Sequence, residues 1–200
     1  MKENPQIARI AVFASGNGSN AENIIRYFND PAAVNGGSAE VALVICNRPE
    51  APVLARAAAL GVPTETITRS LLNDETRFME LMEKHGIDFI ALAGFLLMIP
   101  PFLISRFSGR IVNIHPSLLP RYGGKGMYGR HIHEAVVKAG ERETGITIHH
   151  VSENCDEGAI IFQAGVDLDT TDTPEDVERK IHALESIHYP KIISTLVSSL

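Results

Sequence analysis

Short apolar, β-branched runs alternate along this chain with stretches whose apolar residues recur at helical spacing. Ile7–Phe13 reads as a first strand, and a glycine-rich turn then leads into a helix from about Asn20 to Tyr27. Val41–Cys46 predicts a second strand, Pro52–Leu60 a short alanine-rich helix, and Thr64–Ile67 a third, shorter strand. In Asp74–Lys84, Phe78, Leu81 and Met82 share a helical face that ends near Gly86. Phe89–Ala93 is apolar at every position, as a central parallel strand buried on both faces must be. Pro101–Phe107 predicts a helix and Ile111–Ile114 another buried strand. His115–Gly129 is dense in Pro and Gly and reads as a loop, followed by a helix over Arg130–Ala139. Thr147–Val151 and Ala159–Val166 read as two strands of a hairpin. A last helix opens at Thr173-Pro174-Glu175, with a capping residue, a proline and an acid in order.

This repetition predicts an α/β fold, a doubly wound, mainly parallel sheet with an antiparallel C-terminal strand. Ligands of such sheets bind outside the carboxyl ends of the strands, which singles out loops 14–20, 46–50, 93–97 and 115–128. No internal repeat or linker rich in Pro, Gly and Ser divides the chain, so one domain over residues 1–200 is expected.

Hydrophobic residues make up 44% and charged residues 21%, a globular rather than a disordered balance. A net charge of −6 leaves no basic footprint, so nucleic acid is not an expected partner; small anions still can be bound by backbone dipoles. Cys46 and Cys155 are too few for a disulfide framework and form no C-x-x-C pair, which fits a reducing, cytoplasmic setting. Met1–Ile10 carries Lys2, Glu3 and Arg9 and reads as neither a leader nor an anchor. Phe89–Ile104 is interrupted by Gly94, Pro100 and Pro101 and is too short to span a bilayer, so no membrane partner is expected.

Three motifs can carry chemistry. Ser15-Gly16-Asn17-Gly18-Ser19-Asn20 follows the first strand and opens a helix, where bare amides and the dipole suit a phosphate. Its Gly16-x-Gly18-x-x-Ala21 spacing also satisfies the dinucleotide fingerprint, but the second strand ends in Cys46-Asn47-Arg48, without the acid that would hold a ribose. A tight turn alone is the plainer alternative. In Asn113-Ile114-His115-Pro116-Ser117-Leu118-Leu119-Pro120, Asn113 and His115 project to one side of a strand end, where an amide and an imidazole can bind an oxyanion and move a proton. In Asp156-Glu157-Gly158 a carboxylate that reached His115 would orient the ring and favour imidazolium. His131 and His133 do not share a helical face, and no H-E-x-x-H or paired-cysteine motif exists, so no metal is implied. Cys155 has no activating neighbour in sequence and reads as inert.

Taken together, in this order and spacing, the three motifs resemble the glycinamide ribonucleotide formyltransferases, and the resemblance runs from Ile7 to about Tyr189. It implies a Rossmann-like formyltransferase fold. It also implies formyl transfer from 10-formyltetrahydrofolate, a co-substrate, to the amine of glycinamide ribonucleotide in purine synthesis, by direct attack through a tetrahedral intermediate. Methionyl-tRNA formyltransferase and formyltetrahydrofolate hydrolase share the central string but carry a further domain, for which 200 residues leave no room. A formyltetrahydrofolate hydrolase and a non-catalytic nucleotide-binding module remain the competing readings.

By the resemblance, Asn113, His115 and Asp156 form the catalytic trio, and Gly18, Ser19 and Asn20 hold the substrate phosphate. Glu185 contacts the ribonucleotide, Leu96, Leu97, Met98, Ile99 and Asn113 border the folate, and His149 supports the trio. The phosphate-binding half is expected over residues 1–100 and the folate and catalytic half over 101–200, in a monomer or weak homodimer. Two departures stand out: Leu97 replaces a basic residue of some members, and Arg121–Tyr128 differs from a shorter loop in them. The mechanism implied has protonated His115 and Asn113 stabilise the oxyanion while Asp156 keeps His115 charged.

Overall fold

Strand Ala8–Phe13 (β1) is buried on both sides: Ile10 and Val12 pack into one apolar cluster, and Ala11 and Phe13 into another. That alternation, apolar on both faces, makes β1 the centre of a sheet with a helical layer on each side. The computed structural model describes residues 7–30 and 39–200. The reading of the first ten residues as neither leader nor anchor lies, for residues 1–6, outside the described residues.

The sheet has seven strands in the order β3-β2-β1-β4-β5-β6-β7, formed by β1, Ala39–Cys46 (β2), Thr64–Thr66 (β3), Phe89–Leu92 (β4), Ile111–His115 (β5), Glu143–His150 (β6) and Ile160–Asp167 (β7). β1 to β5 pair in parallel; β6 runs antiparallel to both β5 and β7, so the expected C-terminal hairpin is present. Helices Ser19–Asn29 (α1), Pro52–Ala59 (α2), Arg130–Lys138 (α6) and Pro174–Val197 (α7) contribute to the cluster on one face. Arg69–Leu72 (α3), Glu75–Lys84 (α4) and Pro101–Arg106 (α5) contribute to the other. The start of α7 is fixed by a capping box in which Thr173 and Asp176 each bond the other's backbone N–H.

The chain winds from β1 out to β3, returns to β4 and continues the other way. The strand order therefore reverses between β1 and β4, the crevice where such sheets bind ligands. Several features differ from the sequence reading, β6 among them, which starts at Glu143 rather than Thr147. α3 was not expected, because four residues are too few to show a period; it is set by Thr68, whose hydroxyl accepts from the Leu71 amide. His115, assigned to the loop, is the last residue of β5. Among the described residues no helix is long and apolar enough to cross a membrane.

Candidate active site

A cavity of about 710 Å³ opens at the carboxyl ends of β1, β4 and β5. Gly18, Ser19, Asn20, Leu96, Leu97, Met98, Ile99, Asn113, His115, His149, Asp156 and Glu185 all line it. Residues as far apart in the chain as Gly18 and Glu185 are thus brought to one place by the strand ends. Of the four loops singled out, 46–50 does not line the cavity. It acts at one remove: Asn47 accepts from the Ser15 hydroxyl, and Ser15 Oγ in turn accepts from the Leu96 amide at 2.9 Å.

The first wall is the turn after β1. Gly18 is the N-cap of α1 at φ 83°, where a left-handed backbone suits glycine, and it offers no side-chain cap. The first amides of α1 therefore have no side-chain acceptor and face the cavity with the positive end of the helix dipole. A Cβ at Gly18 would lie 2.5 Å from Val53 Cγ2 of α2, so this glycine also lets two helices approach. At Gly16 a Cβ would meet nothing within 4 Å. At the far side of the turn, Asn20 Nδ2 donates to Glu185 Oε2 at 2.9 Å, joining α1 to α7. Burial raises the Glu185 carboxyl above its usual range, against the lowering effect of Asn20.

The second wall follows β4. Ile99 is buried and Leu97 half-buried, while Leu96 and Met98 stand 41% and 56% exposed beside a half-exposed Tyr128. Large apolar side chains left in water at a cavity rim mark a surface for an apolar or aromatic ligand.

Between the walls lies a polar group built from three elements. His115 Nε2 donates to the Tyr122 carbonyl at 2.8 Å, and His115 Nδ1 lies 3.4 Å from Asp156 Oδ2. Asp156 Oδ1 lies 3.6 Å from His149 Nε2, and Asp156 Oδ2 accepts the Gly124 amide at 2.9 Å. Asn113 Nδ2 approaches His149 Nε2 at 3.1 Å, and His149 Nδ1 donates to the His150 carbonyl at 2.9 Å. His149 Nδ1 is committed as donor to that carbonyl, and Asn113 Nδ2, set against Nε2, has a second amide hydrogen left for a ligand. A register shift between Ile148 and His149 falls at the start of this group, in the manner of a bulge beside a site. Asp156 holds φ 58°, the left-handed region that costs a non-glycine residue.

The electrostatics correct one expectation. Asp156 was expected to keep His115 protonated through neutrality. Burial lowers the His115 pKa below its ordinary 6.5, and it outweighs the opposing pull of Asp156 and of the Tyr122 carbonyl. Burial likewise raises the Asp156 carboxyl, but there His149, His115 and the Gly124 amide prevail and hold it below its usual value. At neutral pH the pair is therefore a carboxylate beside a mostly neutral imidazole. Neither His115 nitrogen points freely into the cavity, because each faces a protein acceptor.

Sequence reasoning passed over some residues here. His133, considered in the sequence only as a metal ligand, is 3% exposed, lines the cavity and leaves Nδ1 without a partner; burial lowers its pKa. His131 is exposed on the other face of α6, as the i, i+2 spacing requires. Glu178 and His182 of α7 also line the cavity; their i, i+4 and i+7 spacing with Glu185 was a readable signal of one helix face. Tyr122 acts through its carbonyl, which leaves no mark in sequence. Cys155 is adjacent to the group, but burial and Asp156 push its thiol up to about 11, so it stays protonated and unreactive. Among the described residues no group of three or more His, Cys, Asp or Glu side chains could hold a metal ion.

Comparison with known proteins places the chain in a family. The Formyl transferase family matches residues 8–193. Phosphoribosylglycinamide formyltransferase of Bacillus subtilis is 37% identical over 193 residues, which cover 94% of this chain and 94% of that protein. The crystal structure of glycinamide ribonucleotide transformylase 1 from Geobacillus kaustophilus superposes with a TM-score of 0.84 at 36% identity, covering 96% of this chain and 100% of that one. That of phosphoribosylglycinamide formyltransferase from Anaplasma phagocytophilum gives 0.84 at 33% identity, over 97% and 89%. With a family match over nearly its whole described length and relatives of this identity, the chain belongs to the formyl transferase family.

Proposed function

We propose that this chain transfers a formyl group from 10-formyltetrahydrofolate to the amine of glycinamide ribonucleotide, a step of purine synthesis carried out in the cytoplasm. The observation that carries this reading is the meeting, in one cavity, of an uncapped helix N-terminus, an apolar wall and the Asn113–His149–Asp156–His115 group. The phosphate of the ribonucleotide sits on Gly18, Ser19 and Asn20, with Glu185 on the same ligand. The folate lies along Leu96, Leu97, Met98 and Ile99, its formyl carbon beside Asn113. One domain, residues 1–200, does both tasks; the expected division near residue 100 is crossed by Leu96–Ile99 from one side and Glu185 from the other.

The neutral amine attacks the formyl carbon, forming the new C–N bond as the carbonyl electron pair moves to oxygen. The free hydrogen of the Asn113 amide donates to that oxyanion, and one such donor is worth about 3 kcal/mol in the transition state. The amine then loses a proton to the Asp156–His115 pair through water. The same pair returns a proton to the departing folate nitrogen as the old C–N bond breaks. Because His115 Nε2 is held by Tyr122, the mobile proton is the one between His115 Nδ1 and Asp156. No covalent intermediate and no metal enter these steps.

Turnover of 10-formyltetrahydrofolate, followed with and without glycinamide ribonucleotide, tests the reading. Formyl transfer is expected only with the amine present. Equal turnover in its absence would make water the acceptor and the protein a hydrolase, for which the bare helix end has no use.

A further inference from the structure

We propose that Tyr122 is a positioning residue for the formyl transfer: its carbonyl fixes the tautomer of His115, and Glu141 holds Tyr122 in the conformation that aims that carbonyl. The inference rests on the transferase reading above and adds to it a residue that never touches the substrates.

Tyr122 stands at φ 56°, one of two left-handed non-glycine residues among those described; the other is Asp156, on the opposite side of the same imidazole. A tyrosine does not settle there unaided, so something must hold it. Its phenol donates to Glu141 Oε1 at 2.8 Å, across to the turn between α6 and β6. Arg121 Nη1 donates to Glu141 Oε2 at 3.0 Å, so one carboxylate ties down two successive side chains of the loop. The Ser117 hydroxyl donates to the Arg121 carbonyl at 2.7 Å, pinning the peptide that precedes Tyr122. Burial, with Glu141 as acceptor, raises the Tyr122 phenol above its usual range and so keeps it a donor.

The consequence reaches His115. A carbonyl only accepts, so Nε2 carries a hydrogen in both protonation states of the ring. The neutral ring is then the Nε2–H tautomer, and its bare Nδ1 faces the Asp156 carboxylate. Any proton that comes or goes does so at that edge, where the transfer needs it. If the carbonyl swings away, the neutral ring is free to take the Nδ1–H tautomer and satisfy Asp156 permanently, which removes the site for the mobile proton. The charged and titratable groups around this unit are Asp156 and His149 on one side and Glu141 and Arg121 on the other.

Tyr122→Phe removes the phenol hydrogen bond and keeps the ring. It is expected to lower kcat about five- to tenfold with KM for both substrates within about twofold, and to alter the pH profile of kcat. Nitrogen-15 shifts of His115, read without substrate, should show the Nε2–H tautomer in the parent protein and a mixture of tautomers in the variant. Glu141→Ala should behave like Tyr122→Phe, the double variant no worse than either, and Glu141→Gln, which keeps an accepting oxygen, should recover most of the lost kcat. An unchanged tautomer in Tyr122→Phe overturns the proposal, as does a loss of kcat that only follows a fall in Tm. Because the tautomer is read on the free protein, it remains decisive even if glycinamide ribonucleotide proves not to be the acceptor.

Discussion

Burial and the Asp156 carboxylate act on the His115 imidazole with opposite sign, and burial is the larger. Replacing Asp156 by Asn keeps the shape but deletes the raising influence. The His115 pKa should then fall further, measurable by NMR titration, and activity should drop on the order of a hundredfold with both substrates still bound. His115→Ala should cost about as much, and the double variant little more, since the two act as a unit; multiplicative losses would show two independent residues. The glycines of the turn divide in the same manner. A valine at Gly18 cannot probe phosphate binding cleanly, because the clash with Val53 and the φ of 83° make it a folding defect. Gly16→Val is the cleaner probe, because its side chain enters open space beside the turn. It should raise KM for the ribonucleotide severalfold and leave folate binding unchanged, which titration of each ligand separately would check. The pairing of Asn113 with His115 was legible from strand alternation. The sign of the His115 shift was not, because desolvation depends on what covers the ring.

Helix α7 lines the cavity with Glu178, His182 and Glu185, and one turn further on it also supports the strands beneath the site. The Tyr189 hydroxyl, fully buried, donates toward the carbonyls of Leu92, the last residue of β4, at 2.8 Å and of Val112, the second residue of β5, at 3.3 Å. One side chain thus spans the two strands that carry the apolar wall and Asn113. Tyr189→Phe leaves both carbonyls without this donor and should destabilise the protein by about 1–3 kcal/mol in denaturant unfolding. A change within a few tenths of a kcal/mol would mean that the hydroxyl adds nothing to the two strands. Most element boundaries were readable because capping, proline and apolar period agree locally, as at Thr173-Pro174 and Pro52. α3 escaped because one turn carries no period, and the bulge at His149 because alternation alone gives no register.

At the scale of the molecule, buried histidines couple the cavity to stability. His115 and His133 both have pKa values lowered from 6.5 by burial, so the unfolded chain binds protons first as pH falls. Their contribution is complete above about pH 6.5 and is lost as pH drops through the lowered values. Glu185, raised by burial, works in the opposite sense, its contribution being lost as pH rises through its folded value. Between pH 7.5 and 5.5 Tm should fall, and His133→Gln should make that fall shallower; an identical slope in the variant would rule His133 out as a contributor. What the sequence alone determined was the doubly wound class, the strand ends at which a ligand must sit, and the three motifs that reach them. Those follow from period, capping and turn chemistry, which act over a few residues. Only the tertiary structure decided that Asp156 reaches His115 and His149 together, that a backbone carbonyl holds the His115 ring, and that burial rather than charge sets its proton affinity. Those depend on contacts between segments far apart in the chain, and desolvation belongs to the packed molecule rather than to any residue in it.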